Sequence, residues 1–414
     1  MIVTVTLSIS HVKSAAFKNA RLEHRMYKIK TLNQISIKGL ERFARDKYEL
    51  ASEIGHPDAI MLRSYKMTEA DISPTLKAIG RAGAGVNNIP VAKMTEQGIP
   101  VFNAPGANAN AVKELVLSAL LLGSRGILQG VDFINNLPAD MDEAELNKCM
   151  EQEKKRFRGE EIQGKTLGVV GLGAIGSLVA EMALQMGMKV LGYDPCLSVD
   201  AAWRLPSQVV KMENIQALFA KSDFITLHLP VLKETTNLVS TELLHLMKPT
   251  ACLLNFARGQ IVDAAAVNDA LKAEQLRLYI TDFPVPVLLG NKKAMLMPHI
   301  GASTQEAEDN CAVMVANQLI DFLENGNIVN SVNFPKLMLE RSTGYRLALA
   351  NKNVPKMLGS VLSVLADMDI NVVDMLNKSR GDIAYNLIDL ESEVTEDLVN
   401  KLGQLEGVIN VRAL

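Results

Sequence analysis

Short apolar runs alternate with stretches of helical spacing along most of the chain. The first begins at Tyr27-Lys28-Ile29; residues 59–62, 76–82 and 99–102 follow. Gly83, Gly85 and Gly98 punctuate the turns, and Pro105-Gly106 follows the last run. Apolar runs of this length bounded by turn residues suit strands buried on both faces. Their alternation with helical patterns predicts parallel sheets covered by helices. Asn108 or Asn110 is placed to cap the long helix that comes next. From Gly164 a second unit starts, with strands at 167–170 and 189–193 around a helix at 177–186. Further strands at 224–227, 252–256 and 278–282 continue the rhythm of a six-stranded dinucleotide domain, five of its strands being legible.

Residues 131–161 break this rhythm with a polar, charge-rich stretch that reads as a crossing connection with a solvated helix. Beyond the second unit the pattern predicts a helix over 304–325, ended by Gly326. Residues 331–343, with Pro335, read as a linker. The remainder follows a βαββαβ order: strands at 345–351, 371–377, 384–390 and 408–411, helices at 358–368 and 395–405. The expected fold class is therefore α/β: two Rossmann-like doubly wound parallel-sheet domains plus a C-terminal ferredoxin-like α+β domain. The expected boundaries are 26–125 with 306–330 for one domain, 126–305 for the nucleotide domain, and 344–414 for the last.

A length of 414 residues is too great for one core, in agreement with this division. The 43 Lys and Arg nearly balance 46 Asp and Glu, which gives no sign of a nucleic-acid partner or an anionic membrane surface. The longest apolar run, residues 115–122, falls well short of the roughly 18 residues of a spanning helix. Cys149, Cys196, Cys252 and Cys311 form no CxxC pair, so free thiols in the cytoplasm are expected and no metal is. Residues 1–25 carry His11, Lys13, Lys18, Arg21, His24 and Arg25 against the one acid Glu23. Their apolar start precedes the basic residues, the reverse of a secretory signal, while the composition would suit a transit peptide. Because strand-like sequence begins at Tyr27, the favoured reading is an upstream extension of a protein starting at Met26.

The sharpest motif is Gly171-Leu172-Gly173-Ala174-Ile175-Gly176, which follows an apolar strand and opens a helix. In such a turn the first glycine bends the chain. The second admits a pyrophosphate to the backbone, and the third lets helix and strand touch. The helix N-terminus then faces the phosphates. Asp194 ends the next strand, 18 residues after Gly176 (194 − 176), where it can accept both ribose hydroxyls. Like charge would repel a 2′-phosphate there, so NAD is expected rather than NADP. A glycine turn that only packs a helix is the plainer alternative. Arg258, in Asn255-Phe256-Ala257-Arg258-Gly259, follows a buried strand and can clamp a carboxylate bidentately, where a surface Arg would merely pair with a neighbour. His299, in Pro298-His299-Ile300-Gly301-Ala302-Ser303-Thr304, stands before a helix. Alone it would read as a capping or core histidine; beside Arg258 and a nucleotide it suits removal of a hydroxyl proton during hydride transfer. His228 reads as a loop residue beside the cofactor.

These motifs resemble the D-2-hydroxyacid dehydrogenase family, and within it the members with a C-terminal ACT domain, from about residue 26 to 414. Arg63-Ser64, Gly83-Ala84-Gly85-Val86, Asn103-Ala104-Pro105-Gly106 and His228-Leu229-Pro230 carry the likeness with residues 171–176, 255–259 and 298–304. The resemblance implies NAD contacts at Ala174, Ile175, Asp194, Phe256, Ala257, Arg258, Asp282, His299, Gly301 and Ala302, with Arg258 and His299 catalytic. It implies that Arg63, Ser64, the backbone at Gly83 and Lys154 hold a substrate, 3-phosphoglycerate, oxidised to 3-phosphohydroxypyruvate on the way to L-serine. A homodimer or homotetramer is implied, with L-serine a candidate effector at Asn353 and Asn371. Sister activities, such as glyoxylate or hydroxypyruvate reduction, and an NAD-sensing corepressor are the alternatives.

Two departures stand out. The family places a Glu after the strand of Asp282 to orient the histidine; here the chain reads Asp282-Phe283-Pro284-Val285-Pro286. Asp282, Glu306 and Glu308 are candidates to replace it. In the last domain, Asn351 and Lys356 stand where serine-inhibited members carry His and Gly.

Overall fold

The computed structural model describes residues 26–414, so the expectations for residues 1–25 lie outside it. A five-stranded parallel sheet comes first, in the order Tyr48–Ala51, Tyr27–Leu32, Ala59–Leu62, Ala78–Arg81, Val101–Phe102. Every residue of Ala59–Leu62 is buried, which explains its unbroken apolar run. A seven-stranded parallel sheet follows, in the order Ala294–Leu296, Leu278–Thr281, Cys252–Asn255, Phe224–Leu227, Thr166–Val170, Lys189–Tyr193, Val210–Lys211. The strand order reverses between Thr166–Val170 and Phe224–Leu227, and a crevice opens at their C-terminal ends. The strands missing from the sequence reading are the edges Tyr48–Ala51, Val210–Lys211 and Ala294–Leu296. These three edges are partly or wholly exposed and so carry no continuous buried run.

Helix Ala109–Ser124 falls on the other side of the boundary expected at residue 125. Its Val112, Val116, Ala119 and Leu120 share a core with Leu167, Val169, Leu254 and Ile280 of the seven-stranded sheet. The chain returns to the first sheet in helix Gln305–Asn325, whose Ala312, Val315, Ala316 and Leu319 pack with Ala59, Met61 and Ala78. A Cβ on Gly80 would stand 2.4 Å from the Val315 side chain, so glycine is what allows this contact. Thr304 caps the helix by accepting the Ala307 N–H at 3.1 Å, and Gly326 ends it at φ +75°. The cap expected at Ala109–Ser124 is different: neither Asn108 nor Asn110 makes a side-chain capping bond. The connection 126–161 holds two helices, Ile127–Asn135 and Glu143–Glu153. The first is not simply solvated, because Ile127, Leu128, Val131 and Ile134 form an exposed apolar face.

The C-terminal domain is a four-stranded antiparallel sheet, ordered Val372–Arg380, Ile383–Leu390, Tyr345–Lys352, Val408–Ala413. Helices Met357–Asp367 and Glu396–Gly403 cover the face of Leu347, Leu349, Ile388 and Leu390. The opposite face, with Ala348, Ala350, Tyr385 and Leu387, joins the core of Phe322, Leu323 and Phe334. Tyr385 donates to the Gly326 carbonyl at 2.8 Å, and Arg412 donates to the Leu323 carbonyl at 2.9 Å. A buried Arg346–Asp389 pair sits at the junction, with Arg346 Nη1 also donating to the carbonyls of Asn325 and Leu339. The expected linker is a packed strap: Phe334 and Leu337 are buried, and the Asn333 side chain bonds Val101 N–H and the Ile99 carbonyl.

Candidate active site

At the crevice Gly171 adopts φ +90°, and a Cβ there would meet the His228 carbonyl oxygen at 2.5 Å. A Cβ on Gly176 would stand 1.9 Å from the Gly171 carbonyl oxygen, so helix Ala174–Gln185 can seat only on glycine. Gly173 differs: nothing lies within 4 Å of its Cβ position, which leaves open space over the turn. The Asp194 carboxylate is fixed by the Leu172 N–H at 2.8 Å and the Cys196 N–H at 2.9 Å. A carboxylate has about four acceptor sites, so hydroxyl acceptors remain. Below the turn the His228 imidazole meets Thr226 Oγ1 at 3.0 Å, and its Nδ1 is buried without a partner. Burial lowers its pKa to about 3, so the ring is neutral. A tight turn, an open cradle above it and a fixed acidic residue behind fit an adenine dinucleotide.

The catalytic candidates are held from the same sheet end. Buried Asn255 clamps the loop after its strand: its Nδ2 donates to the Arg258 carbonyl at 2.9 Å, and its Oδ1 accepts the Ala257 N–H at 3.1 Å. Arg258 then reaches across to the first domain, its Nη2 lying 3.0 Å from the Cβ position of Gly85. His299 has φ +47°, a conformation that costs a non-glycine residue energy and persists only where its surroundings hold it. Asp282 supplies that hold. Its carbonyl accepts the His299 N–H at 2.8 Å, and its Oδ2 accepts the Gly301 N–H at 2.8 Å. The other oxygen, Oδ1, is buried and unpartnered, and burial pushes the carboxyl above its usual range. The exposed His299 ring stands 4.7 Å from the Phe283 ring.

The replacements considered for the family's Glu are thereby narrowed. Glu308 is paired with Arg63 at 2.7 Å, and among the described residues no hydrogen bond or ion pair joins Glu306 to His299. Asp282 is left, acting on the backbone of the His299 loop. Ser64 is exposed after strand Ala59–Leu62, beside Arg63. Lys154 is paired with Glu151 on the exposed connection and shares no contact with the Arg63–Arg258 group. In the last domain Asn353 donates to the Gly381 carbonyl at 3.0 Å and Asn371 to Glu391 at 3.0 Å. Arg81 also ends a strand of the first sheet, its Nη1 standing 1.9 Å from where a Cβ on Gly83 would lie. No group of His, Cys, Asp or Glu among the described residues could hold a metal ion.

The profile described as "D-isomer specific 2-hydroxyacid dehydrogenase, NAD binding domain" matches residues 128–301. The D-3-phosphoglycerate dehydrogenase of Haemophilus influenzae is 31% identical over 387 residues, 90% of each chain. The chain belongs to the D-2-hydroxyacid dehydrogenases. The dehydrogenase is also 35% identical to the D-3-phosphoglycerate dehydrogenase of Methanocaldococcus jannaschii over 83% of its length, though it spans only 64% of that protein. Its fold matches a solved NAD+-bound 3-phosphoglycerate dehydrogenase of Entamoeba histolytica, with TM-score 0.59 and 27% identity, covering 75% of this chain and 100% of that one. The cofactor of this dehydrogenase is NAD.

Proposed function

We propose that this dehydrogenase oxidises D-3-phosphoglycerate to 3-phosphohydroxypyruvate, the first step of phosphorylated L-serine biosynthesis. The observation that carries the reading is the approach of Arg258 to the Gly83–Gly85 turn, with Arg63 on the facing domain. Cations on both walls of one cleft suit a substrate charged at both ends. Arg258 clamps the carboxylate and draws electron density from the C2 oxygen. His299 takes the hydroxyl proton as the C2 hydride departs. When bound, NAD supplies the hydride acceptor, held by the turn 171–176 and Asp194. The Asp282 Oδ1 left without a partner is available to the carboxamide end of the same cofactor.

Assembly as a homodimer or homotetramer belongs to this reading, supported by the exposed apolar face of helix Ile127–Asn135. So does L-serine at Asn353 and Asn371. Calorimetric titration with L-serine tests that effector, and absence of both heat and inhibition removes it. The function itself is tested by NADH formation from a panel of 2-hydroxy acids with and without a phosphate. Preference for 3-phosphoglycerate is the expected result; preference for lactate, glyoxylate or hydroxypyruvate chemistry, or NADH binding without turnover, overturns it.

A further inference from the structure

The hydrogen bonds that hold His299 end at its main chain. Asp282 fixes the His299 and Gly301 N–H groups, but no hydrogen bond or ion pair among the described residues reaches either ring nitrogen. An exposed imidazole so held would turn freely about its side-chain bonds, whereas a base must present one nitrogen within hydrogen-bond reach of the hydroxyl. The side chain set against the ring is Phe283, with centroids 4.7 Å apart and planes inclined at 46°. Aromatic pairs favour such offset, tilted contacts. Phe283 is itself closely placed. Pro284 follows it and disfavours helical backbone there, and the Phe283 N–H donates to Thr281 Oγ1 at 3.1 Å. The Thr281 hydroxyl donates in turn to the Asn255 carbonyl at 2.8 Å, and the Asn255 side chain clamps the Arg258 loop. Thr281 and Asn255 are both buried, so water does not compete for these bonds. The stem of Phe283 also rests on that loop: the position of a Cβ on Gly259 lies 3.4 Å from Phe283 Cβ.

We propose that Phe283 is the positioning residue of His299: its ring, and not a carboxylate, orients the imidazole and keeps it in register with Arg258. One side chain touches both loops, its stem on Gly259 and its ring on His299. A phenyl group can neither hydrogen-bond the substrate nor move a proton, so it acts through the histidine. Arg258 is anchored separately by Asn255, and the nucleotide turn opens a different helix. The contribution of Phe283 therefore falls on the proton-transfer step and not on binding. It is read in kcat, while KM and NADH affinity hold. The inference rests on the reading of His299 as the base.

The test is a double-mutant cycle between Phe283 and His299. It reads kcat, KM for the best substrate of the 2-hydroxy acid panel, NADH affinity, and the His299 ring resonances by NMR, assigned by their absence in H299N. F283A is expected to lower kcat on the order of 10-fold, the worth of an aromatic contact, with KM and NADH affinity within about twofold of wild type. F283Y restores kcat, whereas F283L, which fills space without a ring, does not. In the H299N background F283A changes kcat by less than about twofold, because the group it positions is gone. The His299 ring protons lose their ring-current shift in F283A and keep it in F283Y. Unchanged kcat in F283A, full rescue by F283L, a loss that persists in the H299N background, or a loss carried by KM overturns the inference. Should F283A not fold, F283L and F283Y decide by the same readouts. If H299N turns over like wild type while the His299 resonances still move in F283A, the reading of His299 as the base fails and the hold of Phe283 on its ring stands.

Discussion

The glycine-turn half and the His299 half of the candidate site share one sheet end but are built on opposite lines. Around Gly171 and Gly176 the backbone itself is the device, packed so closely that a single methyl group would collide with a carbonyl oxygen. Around His299 the side chain is exposed, its loop sits in a left-handed conformation, and no carboxylate touches the imidazole. Rigidity in the first half comes from steric necessity, and in the second from a few hydrogen bonds converging on Asp282. The lesson is that the nucleotide cradle is preformed in the chain alone. The histidine is positioned through its main chain, leaving its ring exposed.

That contrast can be broken from either side. The largest effect is expected from G176V, which should abolish measurable NADH binding by fluorescence titration and destabilise the fold. G173A, pointing into open space, should weaken NADH binding while leaving the melting temperature in place. H299N should cut kcat by roughly 10²–10⁴-fold, the usual worth of a general base, without altering NADH affinity. Unchanged kcat/KM would remove His299 from the chemistry. D282A should lower kcat/KM by about 10–100-fold, the range for partners that orient a reacting group, with D282N recovering part of it. The smallest effect concerns His228. Its folded pKa of about 3 lies below the unfolded value of 6.5, so the unfolded state gains a proton first as pH falls. Its contribution is complete above pH 6.5 and is lost from there toward pH 3, at up to about 1.4 kcal/mol per pH unit. Urea unfolding at several pH values should show a shallower acid slope in H228Q than in wild type.

The sequence revealed best what is local. The glycine turn, Asp194, the helix ended by Gly326 and the βαββαβ order of the last domain each rest on neighbouring residues and were readable in place. The places of Arg258 and His299 in the fold were readable too, because the first directly follows a buried strand and the second precedes a helix. What escaped was convergence between distant segments. Glu308 was weighed as a partner for His299, yet folding brings it to Arg63, 245 positions earlier in the chain (308 − 63). Helix Ala109–Ser124 is apolar along most of its length, and its periodicity alone could not say that it packs on the seven-stranded sheet. The strap 331–343 looked like a tether because Asn and Pro dominate turns, whereas Asn333 spends its amide on the backbone of the first sheet.

The docked C-terminal sheet bears on how such enzymes can be recombined. Its underside is a roof: Tyr385 and Leu387 cover Phe322 and Phe334, and Tyr385, Arg346 and Arg412 cap carbonyls at the end of helix Gln305–Asn325. A truncation before Tyr345 would unroof that helix end and leave its aromatic floor wet. Such a fragment would need a solubilising redesign rather than a clean cut. A transplanted regulatory module, likewise, would have to reproduce this footprint of one tyrosine and two arginines and not merely share the fold.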